Sequence, residues 1–538
     1  EPKTEKPLEE KAAPPEEEKP AEKEPEKEPE PLAIDFDRIH DRVRSISIRD
    51  VTESGLFWSP TGARLAFTAT IDGRKGLYTV TFPDDLKPKL LTSTTGSGPR
   101  WVKEKKAIRW VVRGAPAVTT GPKTESYGFR VPQEIDVAAR YGAAFDVAWR
   151  IMRDRFYDVR LNGRDWSAIR TKYRRHASLS PDRAIFGKVV SMMLGELNGS
   201  HLGFSVSPER REGYRDEWRK VTGALGVRWD PEFEGPGLRV LAVVEGGPAD
   251  RAASRVVPGE VVTSIDGRPV DRNVDPARLL TVLPDRAVTL RVRPAEGEER
   301  TVVIRPSSLH GVRRLLYRQW VRDREAKVDE ASGGRLGYLH VRGMMWGSFH
   351  EFERQLHAAG YGKDGLVIDV RDNGGGFTAD HLLTALTQPR HAYTVQRGGA
   401  PGYPQDRKVY ASWHKPIVVL INQSSFSNAE IFAHAIRTLG RGQVVGVATG
   451  GGVISTGGAR VMDFGFIRTP GRGWFLVGDG EDLEQNGARP HHEVWPMPGD
   501  AAKGIDRQLD KAVEVLVSDV GEWKKTGDLP KPKYRSER

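Results

Sequence analysis

The segment from Pro416 to Gly440 constrains this chain more than any other. Ile417 to Ile421 is an unbroken apolar run rich in β-branched residues, the pattern of a buried strand. A polar turn holding Ser424, Ser425 and Ser427 follows. Ile431, Phe432, Ala435, Ile436 and Leu439 then recur at helical spacing until Gly440 stops the helix. Strand, sharp turn and helix present one hydroxyl at a helix N-terminus, where unpaired N–H groups and the helix dipole favour developing negative charge. Ser427 is therefore the candidate nucleophile, although the same serines also suit an ordinary turn and N-cap.

Beyond Gly333 the pattern predicts strands at Leu336 to Val341, Leu366 to Val370, Ile417 to Ile421 and Val444 to Val447. They alternate with helices near Ser348 to Ala359, Thr378 to Leu386 and Asn428 to Leu439. The loop after the second strand reads Arg371-Asp372-Asn373-Gly374-Gly375-Gly376, and such glycines let backbone N–H groups approach a ligand. A phosphate loop would continue with Gly-Lys-Ser/Thr, whereas Phe377 follows here, so an oxyanion hole fits better.

Upstream, residues 134–201 read as helical, with Ala143, Val147, Ile151 and Met152 on one face and Ile185, Val189, Val190, Met193 and Leu194 on another. The second helix breaks at Asn198-Gly199, directly before Ser200 and His201. A histidine there is either a cap, a packed residue or a base. Glu1 to Pro31 is almost entirely Glu, Lys, Pro and Ala, which predicts a disordered linker. Trp58-Ser-Pro-Thr-Gly62 with alternating apolar residues to Phe67, then Gly76 to Val80, reads as a β-hairpin, and a second β pair is expected at Ala107 to Val112.

No cysteine is present, which excludes disulfides, thiolate metal sites and a cysteine nucleophile. The net charge of +10 is spread over scattered arginines without interleaved aromatics, so nucleic acid is not the expected partner. No apolar run is long enough to span a membrane. His491-His492-Glu493 does not make a metal site, because adjacent strand residues point to opposite faces and no His-Glu-x-x-His helix exists. His434, on the helix after Ser427, reads as packed.

Residues from Trp218 to Pro306, with Gly223-Ala-Leu-Gly226, Gly247-Pro248-Ala249 and Pro258-Gly259 before Ile265-Asp266-Gly267, closely resemble a PDZ domain. That resemblance implies a groove taking an extended peptide as an added strand. The hairpin at Trp58 resembles a propeller blade, and one or two blades cannot close a propeller. The expectation is thus the C-terminal part of a longer polypeptide. Gly195-Glu-Leu-Asn-Gly-Ser200-His201, the PDZ-like module, Asp369 to Gly376, Ser425 to Glu430 and Leu483 to Val494 stand in a fixed order. Together they resemble the tricorn branch of the C-terminal-processing serine peptidases of family S41.

That resemblance implies a serine endopeptidase or oligopeptidase that works through an acyl-enzyme without cofactor or metal. It places the nucleophile on Ser427, the base on His201, a second serine on Ser200 and the orienting carboxylate on Glu484. The oxyanion donors would be the N–H groups of Asn428 and of Gly376, then Gly375, with Gly374 last. The sister branch's lysine base has no counterpart, since no lysine follows Ser427 before Lys503. Thr394 stands at the family's acidic specificity position, which leaves a preference for basic residues open.

The implied fold is multidomain α/β: a linker over 1–35, partial β-propeller blades over 36–130, a helical subdomain carrying the base over 131–215, a PDZ-like domain over 216–308, a crotonase-like α/β domain carrying the nucleophile over 309–520 and a tail over 521–538. Implied partners are peptide or unfolded polypeptide substrates and further copies of the chain in a homo-oligomer such as a hexamer. A cytoplasmic location is expected, or a periplasmic or secreted one if a leader precedes Glu1. Two other classes fit some of the residues: a non-catalytic PDZ and propeller scaffold, and acyl-CoA chemistry on a crotonase-like unit.

Overall fold

Strands alone, followed by a mixture of helices and strands, separate the chain into two units, Glu1–Glu134 and Ile135–Arg538. The structure, a computed structural model, describes residues 34–43, 48, 51–102, 106–208, 221–282, 286–389, 391–399, 401–402, 411–526 and 529–537. The linker expected over 1–35 lies outside them up to residue 33.

In the first unit β1 (Ser54–Trp58), β2 (Arg64–Ile71), β3 (Arg74–Thr81) and β4 (Asp85–Thr92) form one antiparallel meander. A second comprises β5 (Ser97–Trp101), β6 (Ala107–Val112), β7 (Ala115–Thr120) and β8 (Lys123–Ser126). Alternation decides which side each residue serves. Leu65, Phe67, Tyr78 and Val80 share one core, whereas Ala66 and Leu77 meet Ile108 and Trp110 of the second meander.

The second unit begins with α1 (Val137–Arg155), α2 (Trp166–Ser178) and α3 (Arg183–Gly195). Asp136, Asp165 and Asp182 start them, each accepting the backbone N–H three residues on. The buried stripe of α1 is Tyr141, Ala144, Phe145, Ala148 and Met152, while Ala143 is exposed. The two aromatics, largest on the helix's inner side, turn that face away from the one expected. After α3 the chain makes β9 (Gly203–Val206).

A small β unit follows, with β10 (Val221–Ala224), β11 (Val227–Trp229), β12 (Leu238–Val243), β13 (Val261–Ile265), β14 (Arg268–Pro269), α4 (Pro276–Leu279), β15 (Thr281–Val282), β16 (Val288–Arg293), β17 (Arg300–Ile304) and β18 (Ser307–Ser308). Its main sheet runs β11-β12-β13-β16-β17 over a core that includes Val240, Val262, Ile265, Leu290 and Val302.

The long α5 (Leu309–Ser332) then leads into β19 (Leu336–His340), α6 (Trp346–Ala358), β20 (Gly365–Asp369), α7 (Ala379–Thr387), the hairpin β21 (Thr394–Val395) and β22 (Pro401–Gly402), β23 (Ile417–Ile421), α8 (Asn428–Thr438) and β24 (Gln443–Gly446). After these come β25 (Ser455–Val461), β26 (Gly465–Arg472), β27 (His492–Glu493) and α9 (Arg507–Lys525). The parallel sheet β19-β20-β23-β24-β27 is covered on both sides. Leu366, Ile368, Ile417, Val419 and Ile421 face α6, α7 and α8, while Val367, Val418 and Leu420 face α9. Burial on both faces is why these strands read as unbroken apolar runs. A second sheet, β25-β26-β9, ties residue 203 onward to residues 465–468.

Where β20 ends, Asp369 is fully buried and Arg371 nearly so. Arg371 binds both oxygens of Asp369 and both of Asp506 on the entry to α9, and Tyr338 Oη donates to Asp369 Oδ2 at 2.9 Å. Burial by itself would raise the Asp369 carboxyl; the Arg371 guanidinium outweighs it and holds the group below the usual range. Replacing Arg371 with Met should therefore leave the buried Asp369 carboxylate without its counter-ion, Asp506 keeping Arg324 at 3.4 Å, and cost about 3–5 kcal/mol. Chemical denaturation checks this, and a loss under about 1 kcal/mol would contradict it.

Candidate active site

Ser427 sits between β23 and α8 with φ 58° and ψ −119°, a conformation costly for a residue with a Cβ. Such a bend persists only if its surroundings determine it. Glu430, one turn into α8 and fully buried, does so. Its Oε1 accepts the N–H of Ser427 at 2.9 Å and that of Gly452 at 2.8 Å, and its Oε2 accepts the Gly451 N–H and the Thr449 hydroxyl. Four donors on one carboxylate offset the cost of burying it. Ser425, also fully buried, donates to Val370 O at 2.8 Å, so it is a turn residue.

The glycine loop lies directly against this elbow. Asn373 O accepts the Phe426 N–H at 2.9 Å, and Asn373 Nδ2 donates to Val341 O at 2.7 Å. A Cβ on Gly375, whose φ is 89°, would fall 2.6 Å from Ser427 Cβ, so only glycine allows this approach. The Gly375 N–H is occupied, donating to Asn373 Oδ1 at 2.9 Å. Among the described residues, the N–H groups of Gly376 and of Asn428, the first residue of α8, have no acceptor. The Asn428 side chain is used elsewhere: its Oδ1 accepts the Ala379 N–H at 2.7 Å at the start of α7.

His201 arrives from the other end of the unit. The pairing of Gly203 with Arg468 and of Phe204 with Ile467 carries the segment after α3 across to β26. The ring then stacks on Phe426, the neighbour of Ser427, with centroids 5.0 Å apart and planes at 27°. Ser200 Oγ lies 2.7 Å from His201 Nδ1 and donates to Glu484 Oε2 at 2.9 Å, while the Ser200 N–H donates to Oε1 at 2.6 Å. Because Ser200 has one hydroxyl proton and gives it to Glu484, its oxygen must accept from Nδ1–H. The neutral ring is thereby left with a bare Nε2. The Val453 N–H also donates to Glu484, at 2.9 Å.

His201 and Ser427 line one cavity of about 850 Å³, with Gly374, Gly375, Gly376 and Asn428 on the same wall. Phe377, Ile431, Trp474 and Phe475 supply apolar surface, and Asp380, Arg468 and Arg472 are its charged side chains. No hydrogen bond joins Ser427 Oγ to His201 Nε2 among the described residues. Thr394 lies in β21 and is not among the residues lining this cavity. His491 Nδ1 accepts the Val444 N–H at 3.0 Å, and His434 Nε2 contacts Thr438 Oγ1 at 3.1 Å.

Sequence reading gave no role to Glu430, Asn373, Phe426 or the two cavity arginines. The signal for Glu430 was present, since Ser427 followed three residues later by glutamate is the capping-box spacing. Burial lowers the His201 pKa below its ordinary 6.5, the positive charge of Arg468 lowers it further, and Glu484 opposes both. An NMR titration of the imidazole should move down in Glu484→Gln and up in Arg468→Gln. Shifts of the same sign in both variants would contradict this electrostatic arrangement.

Residues 335–494 match the model of peptidase family S41, 138–195 that of the tricorn protease C1 domain and 223–308 that of the tricorn protease PDZ domain. Tricorn protease homolog 1 of Streptomyces coelicolor is 34% identical over 399 residues, covering 72% of this chain and 36% of that protein. Tricorn protease of Thermoplasma acidophilum is 26% identical over 389 residues, 70% of this chain and 35% of that one. The chain thus spans about a third of the length of these tricorn relatives. A crystal structure of the tricorn protease shares the fold, with a TM-score of 0.66 at 21% identity over 85% of this chain and 46% of that chain. With C1, PDZ and S41 modules following one another along a single α/β unit, the chain belongs to the tricorn branch of peptidase family S41.

Proposed function

We propose that the chain is the catalytic part of a serine endopeptidase or oligopeptidase. The observation that carries this reading is the meeting of His201 and Ser427 on one cavity wall beside two backbone N–H groups without acceptors. In this reading His201 Nε2 takes the Ser427 proton as Oγ attacks the peptide carbonyl carbon. The Gly376 and Asn428 N–H groups receive the oxyanion, and Ser200 with Glu484 stabilises the imidazolium. The imidazolium then protonates the leaving amine. Water, deprotonated by the same nitrogen, hydrolyses the ester and returns Ser427.

Finer features belong to the same proposal. The five-stranded parallel sheet with its glycine loop supports a crotonase-like catalytic domain, and two antiparallel meanders of four strands each support propeller-type blades. Peptide substrates, a homo-oligomer such as a hexamer and a cytoplasmic location, or an exported one behind a leader, complete the reading. A second reading, a non-catalytic peptide-binding scaffold, is favoured by the lack of a Ser427 to His201 hydrogen bond among the described residues. Catalytic hydrogen bonds commonly tighten only when substrate is bound, which favours the first reading.

A fluorophosphonate probe separates the two. The protein should be labelled at one serine, with labelling lost in Ser427→Ala; a folded protein that takes up no probe supports the scaffold. Peptide hydrolysis should fall about 10⁴-fold or more in Ser427→Ala and His201→Ala. Glu430→Gln should lose about 10²-fold in kcat through displacement of the elbow. Because the folded His201 pKa lies below 6.5, the base is neutral at pH 7, and kcat/KM should rise with pH along a limb below 6.5 and be level at neutrality. An acid limb centred above 6.5 would count against His201 as the base.

A further inference from the structure

The cavity wall carries two cations and, among the described residues, one anion, Asp380. Arg468 and Arg472 both lie on β26 and both line the cavity; Arg468 is on the exposed face opposite the buried Ile467 and Thr469, and a bulge at Gly471, where Ser455 pairs with Arg472 and Thr456 with Pro470, separates it from Arg472. Other arginines of the unit do have carboxylate partners, Arg140 and Arg183 with Asp463, Arg170 and Arg174 with Asp146. Neither cavity arginine has a carboxylate within ion-pair distance among the described residues, and Arg468 makes only a long 3.5 Å contact to Thr456 Oγ1.

Local structure aims Arg468 at the reacting groups. Its partner across the ladder is Gly203, two residues after His201, and a Cβ at Gly203 would stand 3.8 Å from Arg468 Cδ. The arginine stem thus lies over Gly203 of β9, beside the segment that carries His201. At this place its positive charge lowers the His201 pKa. Along the strand, four residues shortened by the bulge set the two stems roughly 10 Å apart, so an extended peptide following β26 meets them at different side chains.

We propose that this cavity selects acidic peptides, with Arg468 binding a Glu or Asp side chain close to the scissile bond and Arg472 a second carboxylate further along the chain. This substrate class rests on the peptidase reading of the same site, and a binding measurement keeps the two separate. Full-length Ser427→Ala protein is titrated into fluorescently labelled peptides that differ only in Glu, Gln or Lys at the central positions, each with a free or an amidated C-terminus. Glu peptides should bind about tenfold more tightly than their Gln counterparts at low salt, whether or not the terminus is amidated. The difference should vanish in a background that adds Arg468→Gln and Arg472→Gln, and should return in part with Lys at both positions. Circular dichroism verifies that each variant is folded.

Equal binding of Glu and Gln peptides, tighter binding of Lys peptides, or a Glu preference that survives loss of both arginines would overturn the proposal. A preference that disappears on amidation would assign the site to a terminal carboxylate and overturn it as well. None of these outcomes bears on probe labelling of Ser427, and failure of that labelling leaves this binding result standing.

Discussion

Three consecutive backbone N–H groups, those of Gly451, Gly452 and Val453, are divided between two buried carboxylates. Gly451 and Gly452 donate to Glu430, and Val453 donates to Glu484. Glu430 also holds the Ser427 N–H, and Glu484 holds Ser200, which fixes the His201 ring. The Ser427 bend and the His201 tautomer are therefore referred to one short segment of main chain. Gly452 fits this place because a Cβ there would strike the Phe426 ring at 2.1 Å and approach Ser200 Cβ at 3.0 Å. A carboxylate buried in this way is costly unless every donor is present, so the arrangement is cooperative: removing one donor weakens the hold on both halves.

The folded frame makes this convergence possible by two separate routes. β23 and α8 deliver Ser427 in the manner of any strand followed by a helix at the carboxyl edge of a parallel sheet, and β20 places the glycine loop beside it. The position of His201 depends on a longer-range contact, the β9 to β26 pairing. The same three-stranded sheet carries Val461, Phe464 and Ile467 into the helical core with Tyr141, Phe145 and Phe186. Packing of α1 to α3 is thus coupled to the position of His201, and Arg468 lies on the strand that makes the coupling.

What the sequence made legible follows from range. The strand at Ile417 to Ile421 was read to the residue because five buried positions in succession leave no other pattern, and α8 because Ser427, Asn428 and Gly440 mark its ends. Helices α5 and α9 went unread, although a sheet with apolar residues on both faces requires cover on the second face; their own apolar residues are diluted by arginines and lysines that point to solvent. Strands β25 and β26 went unread because glycines and charges interrupt their alternation, as in Thr456-Gly-Gly-Ala-Arg460. At the site, local signals sufficed to bring out Ser427 and the glycine loop, which line one cavity. The occupied Gly375 N–H was invisible, because it depends on where the Asn373 side chain turns.

The most direct test is a structure of the protein after reaction with a fluorophosphonate, solved with the adduct in place. The central claim predicts a covalent bond to Ser427 Oγ, the phosphoryl oxygen within about 3 Å of both the Gly376 and the Asn428 nitrogens, and His201 Nε2 within hydrogen-bond reach of the adduct. An adduct on another serine would contradict it. So would a phosphoryl oxygen turned away from the glycine loop, or an imidazole left stacked on Phe426 with no contact to the modified oxygen.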